Sequence, residues 1–318
     1  MRSRTKTIIV AAILLATCYN VESNLFNFSA LKPSPSSTWK AKVFKPILNL
    51  SARDIQAQYL GVLGVLDNES PDKCLSNCTK RLQYSAYDWR NSSCIGSIQD
   101  QGKCGSCWAV SAVEVFGDRY CIGQQALVNT NQKRIKFSAL DLVACDKMCK
   151  FITRCCRGCA GGYPSLAWKY IQEKGVVTDA CMPYNLTKSL LCPVDYCLPP
   201  LSNKLYKAKG FKKIYGGANA IKNEIVEHGP VQATFYVFED FMHYHSGIYR
   251  YQNGKLLGLH AVKVVGYNTS NTATNKTNYW IVANSWGTGW GGMNGYFYIA
   301  EGECGFEENV YAGTPLLT

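Results

Sequence analysis

Histidine is scarce in this chain of 318 residues: His228, His243, His245 and His260 are the whole supply. Any base that works near neutral pH must come from that short list. Charged residues are also few, at 18% against 47% hydrophobic, which excludes a chain too polar to bury a core. No dense basic run with interleaved aromatics occurs, so nucleic acid is not an expected partner despite a formal net charge of +12. That charge is spread out, about +2 over residues 1–23, +4 over 24–81 and +6 over 82–318, as on a mildly basic solvated surface. Outside Ile8–Ala16 there is no long apolar run, and that one is short of the about 20 residues needed to cross a bilayer. Stable membrane insertion is therefore not expected. No internal repeat is evident.

Cysteine, by contrast, is plentiful: there are sixteen. Arg2, Arg4 and Lys6 precede the apolar run, and Ala16 and Cys18 are small residues suited to a cleavage site. This reads as a secretory leader, placed at 1–20 and cut between Cys18 and Ser23. Export to an oxidising compartment makes disulfides the natural use of so many cysteines. Eight N-x-S/T acceptors agree with that route: Asn27, Asn49, Asn68, Asn77, Asn91, Asn185, Asn268 and Asn275. The cluster Cys145, Cys149, Cys155, Cys156 and Cys159 has irregular spacing and no nearby histidine, so disulfides are favoured over zinc. No metal or cofactor is expected.

The stretch Gln101–Val110 organises the rest. Its front half is rich in Gly, Ser and Cys; from Cys107 the apolar residues Trp108, Ala112, Val113, Phe116 and Tyr120 follow helical spacing. Ser106 reads as the N-cap, which puts Cys107 in the first turn. Unpaired N–H groups and the helix dipole there would lower the thiol pKa from about 8.5. The alternative is that Cys107 is half of a disulfide. The run Cys104-Gly105-Ser106-Cys107-Trp108 decides between them, because it resembles the nucleophile motif of papain-family cysteine proteases, and in particular of cathepsin B-like chains.

A second block strengthens the resemblance. His260, in Gly258-Leu259-His260-Ala261-Val262, leads into an apolar strand, and Asn284 follows 24 residues later inside Tyr279–Gly287. The resemblance implies that Cys107 is the nucleophile, His260 its base and acid, and Asn284 the group that orients the imidazole. Gln101 would supply an oxyanion donor, and Trp286 would shield the His–Asn bond. Substrate contacts are implied at Gly161, Gly162, Tyr163, Pro164, Ala261, Trp286 and Asn309, and disulfides at Cys94–Cys121 and Cys104–Cys159. Cys145, Cys149, Cys155, Cys156, Cys181, Cys192 and Cys197 are an odd number, so one stays a thiol or joins Cys304. Of the other histidines, His228 before Gly229-Pro230 reads as a turn residue. His243 and His245 read as part of a surface strand or loop.

The implied fold is α+β, papain-like and two-lobed: a mainly helical lobe at about 91–200, a β-barrel-like lobe at about 201–318, and the cleft between them. Helices are expected at Ser51–Leu63, from Cys107, near Ser138–Cys145 and at Tyr163–Lys174. Strands are expected at Val231–Val237, His260–Tyr267, Tyr279–Ala283 and Gly295–Ile299. Residues 21–81 resemble a propeptide that would block the cleft, with Cys74 and Cys78 able to pair, and 82–318 the mature peptidase. Two departures from the cathepsin B pattern stand out. The region Pro183–Ser202 is short and has no histidine, which predicts internal cleavage over removal of C-terminal dipeptides. Asn309 stands where those chains carry a glutamate flooring the S2 pocket, which predicts an apolar P2 residue unless Glu308 turns inward. The expected partners are protein and peptide substrates, the chain's own propeptide, and cystatin-type inhibitors, with the protein a monomer in a lysosome-like compartment or outside the cell. The alternative is a related binding protein with weak or no activity.

Overall fold

The computed structural model describes residues 31, 33–34, 36–64, 84–128, 133–150, 153–187, 191–193, 197, 204–271 and 276–317. The leader and the Cys74–Cys78 pair lie outside the described residues. The centre of the first lobe is helix α2, Cys107–Val128, with α1 the earlier Ala52–Tyr59. Sixteen of α2's residues are buried, on every side of the helix; a helix apolar all round belongs in the middle of a core. Phe116 and Tyr120 on it pack against Phe137, and Phe116 also meets Trp168. The shorter helices α3 (Ala139–Cys145) and α4 (Pro164–Glu173) complete this lobe. α3 is capped by Ser138, whose hydroxyl accepts from Asp141 N–H, and α4 starts at Pro164, where a missing N–H costs nothing.

Disulfides stitch the loops around these helices. Cys94 bonds to Cys121 and Cys104 to Cys159, the two pairs implied by resemblance; Cys145 bonds to Cys192, Cys149 to Cys155 and Cys181 to Cys197. Cys107, Cys156 and Cys304 are thiols.

The second lobe is a sheet. Its strands are β1 (Trp39–Ala41), β2 (Tyr87–Asp88), β3 (Ala208–Lys213), β4 (Val231–Phe238), β5 (Tyr244–Tyr249), β6 (Leu256–Asn271), β7 (Lys276–Ala283), β8 (Tyr296–Ala300) and β9 (Asn309–Pro315). They run in the order β1-β5-β8-β7-β6-β4-β9-β3, with β2 added to β6. Only β5 and β8 pair parallel; the other neighbours are antiparallel. The sheet is open, not the barrel-like closure expected from resemblance. One end strand, β1, comes from the N-terminal segment, and at the other end β3 pairs with β9, whose Gly313 lies against Trp168 of the helical lobe. The ends therefore face different partners and do not meet. The lobe boundary at residue 200 is also blurred: β2 joins the sheet from before α2, and Tyr311 is part of the helical lobe's core.

One helix in this half, α5 (Gly217–His228), was not expected. Its Ile221 and Ile225 are buried four residues apart, and His228 closes its last turn. The helix expected over Ser51–Leu63 stops at Tyr59, after which Leu60 is extended. Ser51 and Asp54 form a reciprocal capping box at its start.

Three sets of buried polar side chains join the lobes. Gln232 on β4 donates to Trp108 O at 3.0 Å and Ser111 Oγ at 2.7 Å, and accepts from Trp168 Nε1 at 2.8 Å. Arg119 of α2 pairs with Glu224 at 2.9 Å. Lys263 of β6 pairs with Asp118 at 2.7 Å and Glu114 at 3.3 Å, and Arg134 closes the same cluster. Removing one partner of such a buried pair costs about 3–5 kcal/mol, because the other charge is left unpaired. The junction is therefore held in one geometry.

Candidate active site

Cys107 is the first residue of α2 and is fully buried. Its sulfur accepts from Ala261 N–H at 3.5 Å, so the residue after His260 lies against it. Ser106 precedes the helix as expected, but its hydroxyl does not cap. It lies 2.6 Å from Tyr184 Oη, which in turn donates to Gln101 O at 3.0 Å. The Ser106 carbonyl accepts from the Ala109 and Val110 N–H groups of the first turn at 2.9 and 3.0 Å.

His260 is carried by β6 and Asn284 follows the end of β7. His260 Nε2 is 2.8 Å from Asn284 Oδ1. The same Oδ1 accepts the Ser285 backbone N–H at 2.8 Å. A backbone N–H can only donate, so the atom it faces is the oxygen, and Nε2 must carry the imidazole proton. Nδ1 is then the unprotonated nitrogen, buried and without a hydrogen bond among the described residues. Trp286 covers the pair, its ring 4.7 Å from that of His260.

Gln101 is oriented by Ser285, whose hydroxyl donates to Oε1 at 2.6 Å while Gln101 N–H donates to Ser285 O at 2.8 Å. The amide Nε2 is thereby turned toward the cleft, where it donates to Cys104 O at 2.9 Å and Tyr59 O at 3.1 Å. On the left wall, Gly162 lies so close to Trp108 that an added Cβ would be 2.4 Å from its ring. Only glycine fits there. Tyr163 and Pro164, which follow Gly162, and Ala261, which follows His260, are buried, and Asn309 is buried while Glu308 is exposed. Asn309 and Thr234 are paired across β9 and β4, and Thr234 also pairs with Ala261 across β6.

The N-terminal segment fills this site. Gly162 N–H donates to Gly61 O at 2.8 Å, Leu63 N–H to Gly162 O at 3.0 Å, and Val62 N–H to Leu259 O at 3.4 Å. Trp286 Nε1 donates to Tyr59 O at 3.1 Å. Gly61 lies against Gly105, whose oxygen would be 2.0 Å from any Cβ added at Gly61, so a side chain at 61 would lift the segment off. The Cys107 sulfur also faces the Gly61 N–H.

This cover reverses the expected ionisation. Burial pushes the Cys107 thiol up to about 12, outweighing the N–H groups of Ala261, Gly61 and Trp108 that favour the thiolate. Burial likewise pushes His260 down to about 4, against the Asn284 bond that favours its charged form. Desolvation penalises the charged form of both groups.

The description "Papain family cysteine protease" matches residues 84–314. The chain belongs to the papain family of cysteine proteases. It is 35% identical over 321 aligned positions to Cathepsin B-like cysteine proteinase 4 of Caenorhabditis elegans, covering 89% of this chain and 90% of that one. It is 37% identical to Cathepsin B of Dictyostelium discoideum, covering 72% of each. Among solved structures, proCathepsin B S9 from Trypanosoma congolense superposes with a TM-score of 0.74 at 32% identity, covering 89% of this chain and 94% of that chain. Coverage of that extent reaches beyond 84–318, so the likeness to a proform takes in the N-terminal segment, hereafter the prosegment. The protein is a cathepsin B-like cysteine peptidase of this family.

Two residues that shape the site escaped sequence reading. Ser285, which fixes the Gln101 amide, stands beside Asn284 and was reachable from that block. Tyr184, which ties Gln101 to Ser106, gives no signal in the sequence, because its partners are 83 and 78 residues away. His243, read as a surface residue, is fully buried, and its Nδ1 accepts the Phe44 N–H of the prosegment at 3.3 Å.

Proposed function

We propose that the mature protein is a cysteine endopeptidase working through Cys107, His260, Asn284 and Gln101. The observation that carries this reading is the tautomer at His260: with the proton on Nε2 and Asn284 Oδ1 accepting it, Nδ1 is available as a base. Loss of the prosegment rehydrates the site, and the two pKa values that burial separates move toward one another. The Cys107 proton then passes to His260 Nδ1, and the thiolate attacks the substrate carbonyl carbon. The oxygen of that carbonyl takes the place held by Tyr59 O, where Gln101 Nε2 donates to it; one such donor contributes about 3 kcal/mol in the transition state. The imidazolium gives its proton to the leaving amine, then takes one from the water that frees the acyl group.

Substrate backbone would lie on Gly161 and Gly162, with side-chain contacts from Tyr163, Pro164, Ala261 and Trp286. The buried, neutral Asn309 and the outward Glu308 support an apolar P2 residue. The lack of histidine in Pro183–Ser202 supports internal cleavage. The leader and the disulfides support passage through the secretory route to a lysosome-like compartment or outside the cell. The protein would be a monomer held as a zymogen by its own prosegment and open to cystatin-type inhibitors.

Cleavage of two dipeptidyl fluorogenic substrates by the processed protein at acid pH, Phe-Arg and Arg-Arg, tests this reading, with and without an epoxide inhibitor of cysteine proteases. The expected result is inhibitable cleavage of Phe-Arg with little of Arg-Arg. Equal cleavage overturns the P2 assignment. No cleavage by a fully processed, disulfide-bonded sample overturns the catalytic one and favours a binding protein.

A further inference from the structure

Asn284 has two ends, and only one is accounted for. Its Oδ1 holds His260 and Ser285, but its Nδ2, on a side chain 3% exposed, has no hydrogen-bond partner among the described residues. A buried donor in that condition is costly, and native proteins meet nearly all of them with protein or ordered water. Asn284 helps line a small, partly open pocket of about 20 Å³ together with Ser97, Ser111, Glu114, Lys263 and Ser285. One water needs about 10–15 Å³ and two to four polar partners. Glu114 makes both of its ion pairs, to Arg134 at 2.9 Å and to Lys263 at 3.3 Å, through Oε2. Its Oε1 makes no hydrogen bond among the described residues.

We propose that Glu114 is a positioning residue for the catalytic histidine, acting through one buried water that accepts from Asn284 Nδ2 and donates to Glu114 Oε1. The inference rests on the His260–Asn284 reading of the site. The chain of contacts then runs from the imidazole Nε2–H to Asn284, through water to a carboxylate, and on to Lys263 and Arg134. The water fixes the amide plane, and so the ring. The carboxylate draws the amide N–H toward it, which makes Oδ1 a stronger acceptor for the charged imidazole. The charges facing Glu114 are Arg134 from the loop before α3, Lys263 from β6, and Asp118 one turn along α2, which shares both cations. His260 itself is faced by Asn284, Trp286 and Phe235 and by the Cys107 side. Glu114 is thus the carboxylate that would back the pair.

The test uses the processed enzyme, with active sites counted by epoxide labelling of Cys107. For Glu114→Gln, kcat per labelled site is expected to fall about tenfold with KM little changed. The alkaline limb of kcat/KM, where the imidazolium loses its proton, is expected to move down by about one pH unit. Val262→Ile keeps every charge and adds a methyl group to the cavity wall, so it displaces the water; its alkaline limb is expected to move the same way by a smaller amount. A crystal structure of the wild-type protein should show one water between Asn284 and Glu114. A wild-type pH profile in Val262→Ile, in a cavity shown to be filled, overturns the proposal even where Glu114→Gln fails to fold. So does Glu114→Gln that only lowers thermal stability. Failure of wild-type Cys107 to label at all would instead overturn the reading of the site on which this rests.

Discussion

The two lobes are held together by different means. Every disulfide among the described residues lies between Cys94 and Cys197, in the helical lobe. The β lobe has none there and is filled by aromatic rings. Phe241 alone meets Tyr249, Trp286, Trp290 and Phe297 at ring distances of 5.0–5.9 Å. Long irregular stretches join the helices of the first lobe, and loops have few ladder bonds to fix them, so covalent ties take over. In the second lobe the ladders fix the backbone, and burial of large side chains suffices. The difference matters at the cleft, because Cys107 belongs to the stitched half and His260 and Asn284 to the packed half.

The strongest way to break this comparison is to empty the packed half. Phe241→Ala, in a Cys107→Ala background that prevents self-digestion, should lower stability to denaturant by about 3–5 kcal/mol. A loss under 1 kcal/mol would mean that the rings are not what holds the β lobe. Replacing Cys104 and Cys159 together by serine should cost somewhat less, about 2–4 kcal/mol. Hydrogen exchange should place the loosened amides in the helical lobe, and equal loosening of β6 and β7 would erase the distinction.

A smaller effect is expected at His243, on the edge where the packed half takes hold of the prosegment. Its Nδ1 must be unprotonated to accept the Phe44 N–H, and Lys42 N–H bonds to its carbonyl at 2.9 Å. Burial pushes His243 down to about 4. The nearby charges are Lys42 and Lys45 of the prosegment and Glu239 and Asp240 of its own turn, and the Asp240 carboxylate is already engaged by Tyr249, Gln252 and Asn253. A base held neutral favours the covered form above its free pKa of about 6.5 and loses that contribution as pH falls toward 4. The inhibition constant of a peptide spanning residues 31–64 against the mature enzyme should therefore weaken about tenfold from pH 6.5 to 4.5. His243→Leu should flatten that dependence; an unchanged slope would acquit His243. The smallest effect is expected from Asn309→Glu, which should raise Arg-Arg cleavage relative to Phe-Arg about three- to fivefold, the size of an ion pair that water can reach.

The candidate site residues were legible because each sits in a local block: Cys107 in a loop-to-helix junction, His260 at the head of an apolar strand, Asn284 among tryptophans. Helix α5 was hidden because Gly216 and Gly217 open it and its buried face is only a few residues wide. Whether the sheet closes was not legible, since that depends on which surface each end strand meets. The desolvation of Cys107 and His260 was not legible either. Desolvation is set by what covers a group, and the cover comes from residues more than forty positions earlier.

One consequence follows from the contact at Gly61. Residues 58–63 grip Gln101, Trp286, Gly162 and Leu259 through backbone atoms, while the sulfur is offered an N–H. A short peptide copying this run would occupy the same cleft. Its one indispensable feature would be the missing side chain at its centre, since a Cβ at Gly61 would collide with the Gly105 carbonyl.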